Sequence, residues 1–177
     1  DYIAGFPPHP HRGFCTLTYM LAGQMAHEDS VGNQGLVGAG GVQWMKAARG
    51  IIHAEMPKQT DGLMWGFQLW INLPAKYKMD EPEWFDYKTD TIPEVELQNG
   101  ILRLIAGNYD DKQGPVSLPE QRLFIADLRL NEKAREQLAL TQHTTQLMYV
   151  YQGALLLDGE RVERGELAVL DRQAATL

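Results

Sequence analysis

Two short runs constrain this chain more than anything else in it: His9-Pro10-His11 and His53-Ala54-Glu55. Each sets two metal-capable side chains with one residue between them. Along an extended strand successive side chains alternate faces, so residues two apart point the same way. His9 and His11 can therefore aim at one point, and so can His53 and Glu55. If the two strands lie side by side, three imidazoles and one carboxylate converge on one cation. Such a set suits a transition metal better than magnesium or calcium, which prefer all-oxygen shells.

A single His-x-His pair arises by chance, and a lone histidine is more often a satisfied structural residue than a ligand. The second pair shifts that balance. The chain holds 5 histidines, and three of them fall in these two runs. Their surroundings are glycine-rich and apolar, as in tight strands rather than solvated loops.

The longer runs carry a family likeness. Gly5-Phe6-Pro7-Pro8-His9-Pro10-His11-Arg12-Gly13-Phe14 resembles the first metal motif of the pirin family, a branch of the cupin superfamily. Gln43-Trp44-Met45, with Ala47-Ala48-Arg49-Gly50-Ile51-Ile52-His53-Ala54-Glu55-Met56-Pro57, resembles the second, and Gln68-Leu69-Trp70-Ile71-Asn72-Leu73-Pro74 the next signature. Beyond residue 75 the likeness is looser. The resemblance implies that His9, His11, His53 and Glu55 hold one divalent metal, Fe(II) first, with Mn, Ni, Co, Cu or Zn as alternatives. It also implies an all-β bicupin: two stacked antiparallel β-barrels of jelly-roll type with a short helix. Residues 1–112 would form the metal-binding barrel, and residues 113–177 the start of a metal-free one. Pirin-like chains extend further at both ends, so this chain is expected to be truncated at both.

The general cupin motif places a glutamate four residues after the second histidine, where this chain has Cys15. In pirin-like proteins the carboxylate comes from the second motif, so Glu55 already fills that role. Cys15 then reads as a small buried hydrophobe near the site, with a thiolate ligand as the lesser alternative.

The activity implied by the resemblance is that of a quercetin 2,3-dioxygenase, which opens the central ring of a flavonol with dioxygen and releases carbon monoxide. Glu55, the one anion of the set, is the candidate catalytic base for the acidic flavonol hydroxyl. The alternative, from another class, is a metal-binding regulator acting through a protein partner. A third reading is a metal-stabilised scaffold without turnover.

Composition narrows the remainder. The formal charge is −7 and no basic run is present, so direct nucleic-acid binding is not expected. One cysteine leaves no internal disulfide and fits a reducing compartment. No apolar run approaches the roughly 18 residues that span a bilayer. The expected location is cytoplasmic, or nuclear in a eukaryote.

Along the chain, residues 14–22 read as a strand ended by Gly23. His27 and Asp29 share a face in the strand reading; with no partner pair left for them, a polar or supporting role is favoured over a second metal. The glycines between positions 32 and 41 read as turn residues, without a phosphate-binding pattern. Arg12 and Arg49 read as ion-pair residues of the scaffold ahead of a substrate-facing role. Residues 63–73 form an apolar strand. Its Trp65, Phe67 and Trp70 are core fillers or, more sharply, walls of an aromatic pocket. Residues 76–90 read as a polar link and residues 108–114 as the domain boundary. Residues 101–107 and 123–130 read as strands, and 131–138 as a helix capped by Asn131. Residues 147–157 read as a strand broken at Gly153, with a hairpin at Asp158-Gly159. His143, alone in the second half, predicts no metal there.

Overall fold

The strand over residues 14–22 has few charged or turn-forming residues on either face, and both faces are covered. The computed structural model describes residues 4–58, 62–118, 122–138 and 145–171. The first half contributes β1 (Phe6–His11), β2 (Phe14–Ala22), β3 (Gln24–Asp29), β4 (Gln34–Gly38), β5 (Val42–Lys46), β6 (Ile51–Pro57), β7 (Trp65–Asn72) and β8 (Glu83–Tyr87). They form two four-stranded antiparallel sheets, ordered β1-β6-β3-β4 and β7-β2-β5-β8.

Strand β2 shows why the layers stack as they do. Its even positions meet the first sheet: Met20 packs with Met25 and Val37, and Thr18 accepts a hydrogen bond from Gln68 beside Glu55. Its odd positions, Cys15, Leu17 and Tyr19, join Val42 and Trp44 in the largest apolar cluster, which continues into Ile105, Val116 and Leu118. A strand covered on both faces carries few polar residues, and β2 carries none that is charged.

The second half supplies β9 (Glu94–Leu97), β10 (Gly100–Ala106), β11 (Asn108–Tyr109), β12 (Lys112–Gln113), β13 (Ile125–Leu130), β14 (Leu147–Tyr149), β15 (Ala154–Leu157), β16 (Glu160–Glu163) and β17 (Leu167–Val169). These pair as a three-stranded sheet β13-β10-β9, the hairpins β11-β12 and β15-β16, and the pair β14-β17. A polar knot centred on the buried Asp127 joins the halves. The Asp127 carboxylate accepts hydrogen bonds from the Tyr19 hydroxyl at 2.7 Å, the Tyr151 hydroxyl at 2.6 Å and Arg129 Nε at 2.9 Å. Burial and the bond to Asp127 push Tyr151 up to about 12 and raise Tyr19 as well, so both phenols remain donors at neutral pH.

The expected strands at 14–22, 101–107 and 123–130 are present, with ends shifted by a residue or two in the later ones. The Asp158-Gly159 hairpin is also present, with φ of 49° and 85°, as a type I′ turn requires. Three segments differ. Part of the glycine-spaced stretch is strand β4, and Gly35 is there for a steric reason: a Cβ would lie 2.2 Å from Cη2 of Trp84. The polar link at 76–90 contains strand β8, whose Trp84 and Phe85 pair with Met45 and Trp44. The helix expected at 131–138 does not form, and the described residues contain short 3-10 turns but no α-helix. Lys133 has a φ of 60°, Asn99 binds the Arg135 carbonyl and the Glu136 carboxylate at 2.9 Å each, and Leu138 packs with Val95, Leu102 and Leu104. These tertiary contacts outweigh local helix propensity.

Candidate metal centre

The site grows from the pairing of β1 with β6. The two strands run antiparallel with His9 opposite His53, so these side chains share a face, and His11 joins them two residues on. Along β6 burial alternates: Ile51, His53 and Glu55 are buried, while Ile52 and Met56 are exposed. Strand β1 lies at the sheet edge, where Pro7 and Pro8 are tolerated because no ladder donor is needed there. The register slips between Phe6 and His9. The Pro7 carbonyl accepts a hydrogen bond from His9 Nδ1 at 2.8 Å, which leaves the His9 Nε2 lone pair facing inward. Gly13, with φ of 81°, turns the chain from β1 into β2.

The ligand-capable nitrogens of His9, His11 and His53 lie within 4.8 Å of one another. Nε2 of His9 and Nε2 of His11 are 3.1 Å apart. Two nitrogens bound at a right angle to one cation, each at about 2.1 Å, would be about 3 Å apart. His53 is 2% exposed, and its buried Nε2 has no hydrogen-bond partner. A buried polar atom left unpaired is costly, and a cation among the three rings would satisfy it. Burial and the neighbouring His9, His27 and His11 rings hold His53 down at about 3. Burial and His9 lower His11 too. Both imidazoles are therefore neutral near pH 7, as ligation requires.

Glu55 is buried two residues beyond His53. Its carboxylate accepts hydrogen bonds from Gln68 Nε2 at both oxygens, at 3.0 and 3.2 Å, and is not one of the three groups whose ligand atoms all lie within 4.8 Å of one another. Oε1 of Gln68 accepts the indole N–H of Trp70 at 2.9 Å. The Trp70 ring is 65% exposed and lies 5.4 Å from His11 and 4.8 Å from Phe14, centre to centre. An exposed aromatic surface thus borders His11. Trp65 and Phe67 stand elsewhere, against Tyr151 and Tyr149.

Cys15 is fully buried in the main apolar cluster, and burial pushes its thiol up to about 12, so it is a packed thiol. Arg49 pairs with Glu81 at 2.6 Å, and Arg12 reaches the Met79 sulfur. His27 lies behind His53, with the two Nδ1 atoms 3.3 Å apart. His143 lies outside the described residues. The sequence reading missed Gln68 as the residue joining Glu55 to Trp70. The available signal was its spacing, two residues before Trp70 on one strand.

The profile of the family described as Pirin matches residues 1–71. A protein of Pseudomonas aeruginosa named "Putative quercetin 2,3-dioxygenase" is 49% identical over 166 residues, covering 91% of this chain and 58% of that protein. One of the same name from Thermoplasma acidophilum is 31% identical over 196 residues, covering 100% of this chain and 75% of that protein. The crystal structure of a quercetin 2,3-dioxygenase from Acinetobacter baumannii superimposes with a TM-score of 0.92 at 33% identity, covering 97% of this chain and 62% of that one. The chain thus spans less than two thirds of the Pseudomonas relative. With its three motif runs, its paired histidine strands and these relatives, the chain belongs to the pirin family of the cupin superfamily.

Proposed function

We propose that this chain carries the metal centre of a flavonol 2,3-dioxygenase, an oxidoreductase that opens the central ring of quercetin or a related flavonol. The observation that carries the reading is the convergence of three imidazoles around the unpaired Nε2 of His53. His9, His11 and His53 would hold a divalent metal, with Glu55 completing the set, and Fe(II) is the metal assigned from the family. In this reading residues 1–112 form the metal-binding barrel and residues 113–177 begin a metal-free one.

A redox-capable metal held there supplies the electron exchange by which dioxygen reacts with a closed-shell aromatic. The chain's residues supply the rest. Glu55 takes the proton of the flavonol hydroxyl, since it is the carboxylate on the buried face of β6 that carries His53. Gln68 fixes the direction of that carboxylate by donating to it. Trp70 and Phe14 offer an aromatic surface to the body of the substrate, which the polar remainder of the site does not.

The test is oxygen uptake by iron-loaded protein with quercetin, run beside an anaerobic control and beside His53→Ala. The reading expects quercetin loss that depends on oxygen and vanishes in the variant. Equal quercetin loss without oxygen would rule out the dioxygenase.

A further inference from the structure

Behind the metal centre, on the side away from Trp70, lies a second pair of polar side chains that metal ligation does not use. Strand β3 pairs with β6 so that Asp29 stands opposite His53 and His27 opposite Glu55. His27 and Asp29 have no exposed side-chain surface. Nε2 of His27 is 3.2 Å from Asp29 Oδ2, and Nδ1 of His27 is 3.3 Å from Nδ1 of His53. The His27 ring stacks on Trp84 with centres 5.2 Å apart and planes 16° apart, which holds it in this position.

The proton inventory of this row has one consistent solution for neutral rings. Asp29 only accepts: Oδ1 takes the backbone N–H groups of Val31 and Asn33, and Oδ2 takes the Asn33 amide. Asp29 therefore meets His27 as an acceptor too, which puts the ring proton of His27 on Nε2. The Nδ1 of His27 is then a lone pair and accepts the N–H of His53 Nδ1. Nε2 of His53 is thereby left as a lone pair, and it is the buried atom with no partner.

We propose that Asp29 and His27 are positioning residues that fix His53 in its Nδ1–H tautomer and so present Nε2 to the metal. With the opposite tautomer, His53 would point an N–H at the cation and could not bind it without rearranging. Partners of this kind, when removed, typically lower metal affinity by about 10–100-fold. Only the last step of the proposal rests on the metal reading above; the tautomer itself is a property of the metal-free chain.

The experiment is a long-range proton–nitrogen spectrum of the metal-free chain, followed by titration with Zn(II). In the wild type, His53 should show a protonated Nδ1 and an unprotonated Nε2. His27→Phe keeps a ring on Trp84 but removes the acceptor; it should mix the His53 tautomers and weaken Zn(II) binding about 10–100-fold. His27→Asn places an amide oxygen near the former Nδ1 and should restore both readouts to within about threefold of wild type. A wild-type His53 with its proton on Nε2, or His27→Phe with unchanged His53 signals and unchanged Zn(II) affinity, overturns the proposal. If His27→Phe does not fold, the wild-type spectrum and His27→Asn still decide it. Wild type that fails to bind Zn(II) while showing the Nδ1–H tautomer counts against the metal reading and for the tautomer that Asp29 and His27 impose.

Discussion

The side-chain amide of Gln68 donates to both oxygens of Glu55, at 3.0 and 3.2 Å, while its carbonyl accepts the indole N–H of Trp70 at 2.9 Å. One residue of β7 therefore ties the carboxylate of β6 to the aromatic surface outside it. Replacing Gln68 by Leu removes both links without adding charge. The expected result is retained metal and a fall in kcat/KM of about 10–100-fold, the range seen when a ligand's supporting hydrogen bond is lost. Metal content and steady-state oxygen uptake, measured on the same preparation, check it.

Trp70 is large, exposed and beside His11. A flavonol stacked against it would lose about 0.5–1.5 kcal/mol in Trp70→Ala, or about 2–13-fold in Kd. Binding of quercetin to the Zn(II)-loaded protein, followed by fluorescence quenching, should show this loss with no change in Zn(II) stoichiometry. An unchanged Kd would place the substrate elsewhere.

The histidine cluster sets a pH dependence in the metal-free chain. His53 takes a proton only near 3 when folded, against an ordinary value of 6.5 when unfolded. Between those values the unfolded state binds the extra proton, so stability falls as pH drops below 6.5 and towards 3. His11 is shifted in the same direction. Thermal melts should give a Tm several degrees lower at pH 5 than at pH 7.5, since 1 kcal/mol corresponds to about 2–4 °C in a chain of this size. The difference should shrink in His53→Asn.

Gly35 lies under the edge of Trp84, where a Cβ would come within 2.2 Å of Cη2. Gly35→Ala must push that indole aside and is expected to cost about 1–3 kcal/mol, as overpacking does. Because Trp84 also stacks on His27, its fluorescence should shift together with the fall in Tm.

The strand pairs that build the site were readable because period-two spacing survives in the folded chain: His9 with His11, and His53 with Glu55, each share a face. What the spacing does not carry is the support. The contact of His27 with His53 crosses from β3 to β6, and that of Gln68 with Glu55 crosses from one sheet to the other, so both depend on register and stacking. Strand β4 was hidden because its glycines look like turn residues. Only the position of Trp84 shows why Gly35 is small. The helix expected at 131–138 failed for a related reason: its good local propensity is overridden by the hydrogen bonds of Asn99 and the burial of Leu138.

The most direct test of the metal centre is X-ray absorption at the iron edge of Fe(II)-loaded wild-type chain, with His9→Ala, His11→Ala and His53→Ala beside it. One equivalent of iron with three imidazoles and a carboxylate oxygen in its shell is expected in the wild type, and one imidazole fewer or no bound iron in each variant. A wild-type shell with no more than one imidazole, or one that none of the three substitutions alters, would contradict the account.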